Sequence, residues 1–374
     1  MTAVTETDFA AAFPCTHAAI TADRDAGQHS GMQLYVSLDG GVLADVAVGE
    51  DRPGEPLGRE RLMCWLSAGK PATAVAVLRL IELGRFGLET PVVEVVPEFA
   101  DGGKEAITVR HLLTHTAGIR NVEHGYPDVA WGETVARVCA ASVEEGWVVG
   151  ESAGYHVASS WFVLGELVRR AGGRAVEDFV RDEVLVPSGA GASRLAWPAE
   201  ELDAVRPRVA AVYQRTGRTV SPLDWATDTR LTRASPGSSL RGPVSDLGRF
   251  YEQLLAVLGG DASGPVSPET ARLMTTRHRA GVFDETFKRV LDMGLGIFVR
   301  TDPAGQGPVP YGFGAHASDA AFGHGGAQSA IGFADPRHGL VVAWAVNTRI
   351  GEPRHAARNH AFNTAIYEDL GLGE

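Results

Sequence analysis

Ser67 and Lys70 stand one helical turn apart in Ser67-Ala68-Gly69-Lys70, at the head of the apolar stretch Leu66–Arg79. That spacing puts a hydroxyl and an amine on one helix face. The N-terminus of the helix adds partial positive charge beside the serine, and such an environment lowers a lysine pKa and makes a serine nucleophilic. Lysine is scarce here. Lys70, Lys104 and Lys288 are the three in the chain, so 34 − 3 = 31 of the basic residues are arginine, which does not give up its proton. A serine three residues before one of three lysines also arises by chance about one time in six at ordinary serine abundance. The pair needs companions.

Three other groups offer them. Tyr155 lies in the polar turn Gly154-Tyr155-His156-Val157 just before an expected helix; a phenolate beside a lysine ammonium can act as general base towards a serine, whereas a turn tyrosine can equally well pack its ring and expose its hydroxyl. His324-Gly325-Gly326-Ala327 opens an expected strand, where glycines admit a ligand close to the backbone and the next N–H can donate to an oxyanion; a tight bend at a sheet edge uses glycine in the same way. His111 and His115, four apart, have no Glu between them and no third ligand in view, so capping and core hydrogen bonds are expected of them rather than a metal. Neither a metal nor a cofactor is expected. No G-x-S-x-G elbow is present, which leaves an α/β-hydrolase triad without its nucleophile.

The elements that must position these groups follow from pattern. Residues 8–26 read as an Ala-rich helix weakened by Pro14. Met32–Leu38 and Val42–Val48 read as a hairpin around Asp39-Gly40-Gly41. The Ser67 helix runs on through Ala72–Leu83 to a stop at Gly84, and Thr108 caps a helix that ends at Gly118. Helices are expected at Asp128–Ser142, Ser160–Ala171, Ala175–Val184 and Pro243–Leu258, with Ser267-Pro268-Glu269 opening another. Residues 185–243, rich in Pro, Arg, Ser and Gly, read as a long ordered loop in which Tyr213 and Trp225 shape a pocket. Strands return at Val290–Arg300, Ala321–Phe333 and Leu340–Asn347, and Glu352–Leu370 closes the chain as a helix. Strands at both ends with helices between imply an α/β fold of the α+β type. Its antiparallel sheet comes from 1–66 and 243–374, and a helical domain from 67–242 carries the Ser67 helix.

Composition bounds the partners. At 374 residues and 44% hydrophobic content the chain can bury a large core, and a formal charge of −12 argues against nucleic acid and anionic membrane surfaces. Met1–Phe13 has no basic residue and no apolar run of signal-peptide length, and no segment reaches the ~20 apolar residues of a membrane span. Cys15, Cys64 and Cys139 are widely spaced and odd in number, as expected of small buried residues in a reducing compartment. A cytoplasmic protein is expected.

Taken in order, S-x-x-K, HLLTHTAG (111–118), the Tyr155 turn before WFVLGELV (161–168) and FGHGGAQSAIGFADP (322–336) resemble the serine β-lactamase and penicillin-binding-protein superfamily. The nearest branch is the class C β-lactamase-like group of esterases, DD-peptidases and transacylases. The resemblance covers roughly residues 30 to 350. It implies Ser67 as acylated nucleophile, Lys70 as its proton-accepting partner and Tyr155 as second base or acid. It implies His324, Gly325 and Gly326 as the lining edge strand, and the N–H groups of Ser67 and Ala327 as the oxyanion hole. Acyl transfer then runs in two steps, with water or another nucleophile releasing the acyl group.

Two departures narrow the substrate. The family's Tyr-x-Asn reads Tyr155-His156-Val157, without the asparagine that in β-lactamases helps hold the substrate amide. Counting back from Gly165, His156 falls at the usual distance and is the substitute base if Tyr155 is not. His324 replaces the lysine that helps bind a substrate carboxylate, and a histidine is mostly neutral at pH 7. Both changes weaken the case for penicillins and D-Ala-D-Ala peptides. The sequence therefore supports a serine esterase or amidase acting on a small neutral substrate, or a transacylase with an amine or alcohol acceptor. A non-catalytic ligand-binding protein is the reading from another class.

Overall fold

The computed structural model describes residues 8–301 and 309–373. Residues 1–7, part of the Met1–Phe13 stretch in which no apolar run of signal-peptide length was expected, lie outside them. Seven strands form the main sheet: β1 (Gly31–Leu38), β2 (Gly41–Arg52), β3 (Glu55–Pro56), β4 (Phe298–Val299), β5 (Phe322–Gly326), β6 (Ala330–Asp335) and β7 (Leu340–Val346). Their spatial order is β4-β5-β6-β7-β1-β2-β3, antiparallel throughout. The N- and C-terminal segments meet in the middle, with Met32 opposite Val346 and Leu38 opposite Leu340.

Alternation along β1 and β7 serves two cores, because successive side chains point to opposite faces. Leu34, Val36, Val342 and Trp344 pack with Phe362 and Ile366 on one face, whereas Tyr35, Val341 and Ala343 join Leu247, Tyr251 and Leu254 on the other. The first face is covered by α1 (Pro14–Asp25) and the last helix, Glu352–Asp369, and the second by the helix Val244–Leu258. Both faces are therefore covered, which suits the unbroken apolar run of β7, Leu340–Val346. Gly248 allows the covering helix its close approach, since a Cβ there would lie 2.1 Å from the Tyr35 ring.

The helical region begins with α2 (Lys70–Glu82), buried almost all round against α3 (Ser159–Gly172). Gly173, at φ +69°, closes α3 as the Gly-Gly pair implied. No helix among the described residues is long and apolar enough to cross a membrane.

Four expectations need correction. The 8–26 helix is two, Phe9–Ala12 and α1, broken at Phe13 because Pro14 starts a new first turn. The strand expected at Val290–Arg300 keeps only Arg289–Val290 and β4, since Gly294-Leu295-Gly296 turns to hydrogen-bond Ile297, Met274 and Leu113 instead. The 185–243 stretch is not mostly irregular: Val212–Thr216 and Thr219–Leu223 form a hairpin that pairs with Thr348–Arg349. That hairpin is largely exposed and holds Pro222, so it lacks the apolar alternation that announces a strand. His324-Gly325-Gly326 ends a strand rather than opening one, with Ala327 in the turn to β6.

Candidate active site

Ser67 does not open the long helix. It sits in a separate 3-10 turn, Leu66–Gly69, and α2 begins at Lys70 with Pro71 in its first turn, where a missing N–H costs nothing. The turn is entered through Leu66 at φ +51°, a left-handed conformation that a leucine adopts only under constraint. Strand β5 lies directly across this turn. Gly326 permits that approach, since a Cβ there would sit 2.1 Å from the Trp65 carbonyl oxygen, and Gly325 makes room for Tyr311, whose ring a Cβ would meet at 2.0 Å.

Lys70 is wholly buried. Its Nζ lies 3.0 Å from Ser67 Oγ, 2.9 Å from the Val157 carbonyl oxygen and 2.7 Å from that of Gly237. The ring faces of Tyr155 and Trp161 are 5.3 and 5.1 Å from it. With no carboxylate among these partners, burial holds Lys70 well below the usual lysine range. Glycine is required at 237 because a Cβ there would lie 2.9 Å from Trp161 and 3.0 Å from Lys70 Nζ.

Tyr155 joins the cluster and His156 turns away from it. The Tyr155 ring stacks among His115, Phe287, Phe298 and His324, at centroid distances from 4.6 to 6.0 Å. Burial pushes its hydroxyl up, so it is a phenol and not a phenolate; Ser67 acts in the opposite direction, though the two hydroxyls form no hydrogen bond. His156 Nε2 accepts the Ile119 N–H at 3.0 Å, and the His156 N–H donates to His115 Nδ1; burial takes its pKa down to about 3. Val157 contributes its carbonyl to Lys70 while its side chain is 57% exposed. His324 is fully buried, its Nδ1–H donates to the Gly325 carbonyl at 2.8 Å, and burial brings it to about 3 as well. It is a neutral imidazole.

The remaining expected residues lie elsewhere. Tyr213 donates its hydroxyl to the Asp51 carbonyl at 3.2 Å, and the Trp225 ring lies 5.5 and 5.3 Å from the guanidinium groups of Arg230 and Arg349; both contacts lie away from Ser67 and Lys70. His111 completes a capping box with Thr108. Among the described residues no group of three or more His, Cys, Asp or Glu could hold a metal ion. The carbonyls of Gly237 and Val157 were not legible as site groups, because a backbone oxygen leaves no mark on residue type. Nor was Asp284, whose carboxylate accepts the Tyr155 N–H at 3.1 Å; no motif surrounds it.

The chain has counterparts among known proteins. The family model described as Beta-lactamase matches residues 17–364. Esterase EstB of Burkholderia gladioli is 27% identical over 85% of this chain and 86% of its own, and the esterase/beta-lactamase LipL of Mycobacterium tuberculosis is 26% identical over 95% and 85%. The solved structure of EstCE1, described as a hydrolase with promiscuous acyltransferase activity, superposes with a TM-score of 0.78 at 21% identity, covering 95% of this chain and 98% of that one.

Proposed function

The chain belongs to the beta-lactamase family, and from that premise we propose that it is a serine acyl-transfer enzyme, an esterase or amidase whose acylated nucleophile is Ser67. The set of partners around Lys70 Nζ carries the reading. Carbonyl oxygens only accept hydrogen bonds, so those of Val157 and Gly237 take two N–H groups of Lys70. A neutral amine has two N–H groups and one lone pair. The lone pair is then left for the Ser67 hydroxyl, 3.0 Å away, and Ser67 becomes the donor.

Attack of Ser67 Oγ on a substrate carbonyl carbon transfers the hydroxyl proton to Lys70. The N–H groups of Ser67 and Ala327 receive the developing oxyanion. When the bond to the leaving group breaks, the protonated Lys70 returns its proton through the Tyr155 hydroxyl, which gives one proton and takes another. Water then repeats the sequence on the acyl-enzyme and frees the acid. Since His324 is neutral, the substrate is a small uncharged ester or amide. A cytoplasmic location belongs to the same proposal, supported by Cys15, Cys64 and Cys139 being free thiols, although only Cys139 is buried as expected while Cys15 is exposed and Cys64 partly so.

Ser67 is only 7% exposed, and a site that restricts water favours a second acceptor. An amine or alcohol taking the acyl group from Ser67 is thus the alternative fate of the same intermediate. A ligand-binding role alone leaves the burial of Lys70 without chemical use. The test is incubation with a p-nitrophenyl ester or a fluorophosphonate followed by mass spectrometry. An adduct on Ser67, absent from Ser67→Ala, is expected; a folded protein that forms none overturns both enzyme readings. Product analysis with added amine separates hydrolysis from transfer.

A further inference from the structure

We propose that the turn Asp284-Glu285-Thr286-Phe287 is the positioning element of Tyr155, with Thr286 fixing the direction in which its hydroxyl points. This rests on the proton-transfer role given to Tyr155 above.

The Tyr155 hydroxyl lies near Ser67 but makes no hydrogen bond among the described residues, so its far end is only loosely held. Its place must come from its peptide groups and from packing on its ring. Both peptide groups are taken by the same turn. Asp284 Oδ1 accepts the Tyr155 N–H at 3.1 Å, and Thr286 Oγ1 donates to the Tyr155 carbonyl at 3.0 Å. Phe287 then lays its ring 5.0 Å from that of Tyr155, tilted by 51°.

The turn is itself anchored. Asp284 Oδ1 also accepts the N–H groups of Thr286 and Phe287, both at 2.9 Å, and Oδ2 pairs with Arg279 at 3.0 Å, with both partners buried. Arg279 reaches on to the Thr114 carbonyl at 3.1 Å, beside His115, whose ring lies 4.6 Å from Tyr155. The Glu285 N–H bonds the Ala153 carbonyl at 2.9 Å. An aspartate closing a turn needs only the N–H groups that follow it. The two bonds to the Tyr155 peptide go beyond that need, and one of them, from Thr286, comes from an exposed side chain whose removal spares the buried ion pair. A positional error of about 1 Å at a reacting group costs up to about a hundredfold in rate.

Thr286→Val keeps the shape of the side chain and deletes the donor. The expected result is a kcat for p-nitrophenyl ester hydrolysis lowered about tenfold, with KM and Tm unchanged and with activity restored in Thr286→Ser. In a Tyr155→Phe background, where no hydroxyl remains to be aimed, Thr286→Val is expected to cause no further loss, read as the rate of Ser67 labelling by a fluorophosphonate. An unchanged kcat in Thr286→Val, or an equal loss in both backgrounds, overturns the positioning role while leaving that of Tyr155 intact. A Tyr155→Phe variant with undiminished turnover overturns the role of Tyr155 itself, and the positioning role with it.

Discussion

The Gly237 carbonyl oxygen lies 2.7 Å from Lys70 Nζ, although 167 residues separate the two in the chain. A backbone oxygen cannot exchange protons with the amine, so it orients Lys70 without competing for its proton. Burial in turn holds the amine's pKa well below the usual lysine range. Orientation and basicity thus come from different sources, and they can be perturbed separately.

Gly237→Ala perturbs orientation. The added Cβ would crowd Trp161 and Lys70 Nζ at 2.9 and 3.0 Å, so the carbonyl must shift. The expected outcome is a loss of about tenfold or more in kcat and about 1–3 kcal/mol of stability, measured by steady-state kinetics and urea denaturation.

Lys70→Arg perturbs basicity. Arginine keeps a donor near Ser67 but cannot present a lone pair. The acylation rate should fall by roughly 10²–10⁴-fold, and no increase in pH within the stability range should recover it. Recovery at pH 9 to 10 would count against a neutral amine as the base.

Tyr155 and His156 are separable by substitution. Tyr155→Phe retains the ring packing and removes the proton carrier, with an expected loss of roughly 10²–10⁴-fold in kcat. His156→Gln can still accept the Ile119 N–H through its side-chain oxygen and should keep most of the activity. Comparable losses in the two variants would remove the distinction between them.

Acid should destabilise the fold through the same histidines. His156 and His324 titrate near 3 in the folded chain and near 6.5 once unfolded. Between these values the unfolded chain binds more protons than the folded one, so stability falls as pH drops from about 6.5 towards 3 and is unaffected by these groups above that window. His156→Gln should flatten the dependence of the urea midpoint on pH between 7 and 5.

The neutral state of His324 bears on the substrate. An ester carrying a carboxylate on its acyl part should be turned over at least about tenfold less efficiently than its uncharged analogue, since no ion pair offsets the desolvation of its charge. Equal kcat/KM for p-nitrophenyl butyrate and p-nitrophenyl hemisuccinate would argue against this.

Sequence patterns served the site unevenly. Ser67, Lys70 and Tyr155, which the fold brings together, were legible because each was read from its side-chain type, and His324-Gly325-Gly326 because only glycine tolerates the approach of β5 to Trp65 and Tyr311. The α2, α3 and Val244–Leu258 helices and the hairpin of β1 and β2 followed from apolar period and glycine stops. Gly237 and Val157 act through carbonyls, which every residue has. Asp284, 129 positions beyond Tyr155, meets it only through the tertiary fold. Tyr213 and Trp225 were drawn into the site by type alone; their aromatic rings serve an edge hairpin and a pair of arginines instead.

The pairing of β1 with β7 also constrains biosynthesis. Residues 31–38 cannot complete their side of the sheet until 340–346 have been made, and β5, which lies across the Ser67 turn, is nearly as late. A ribosome adding about 5–20 residues each second therefore releases Ser67 and Lys70 long before the strand that lies across them exists. Ser67 and Lys70 therefore wait unassembled until residues 322–326 and 340–346 have been made, and the acyl transfer proposed for them cannot begin before then.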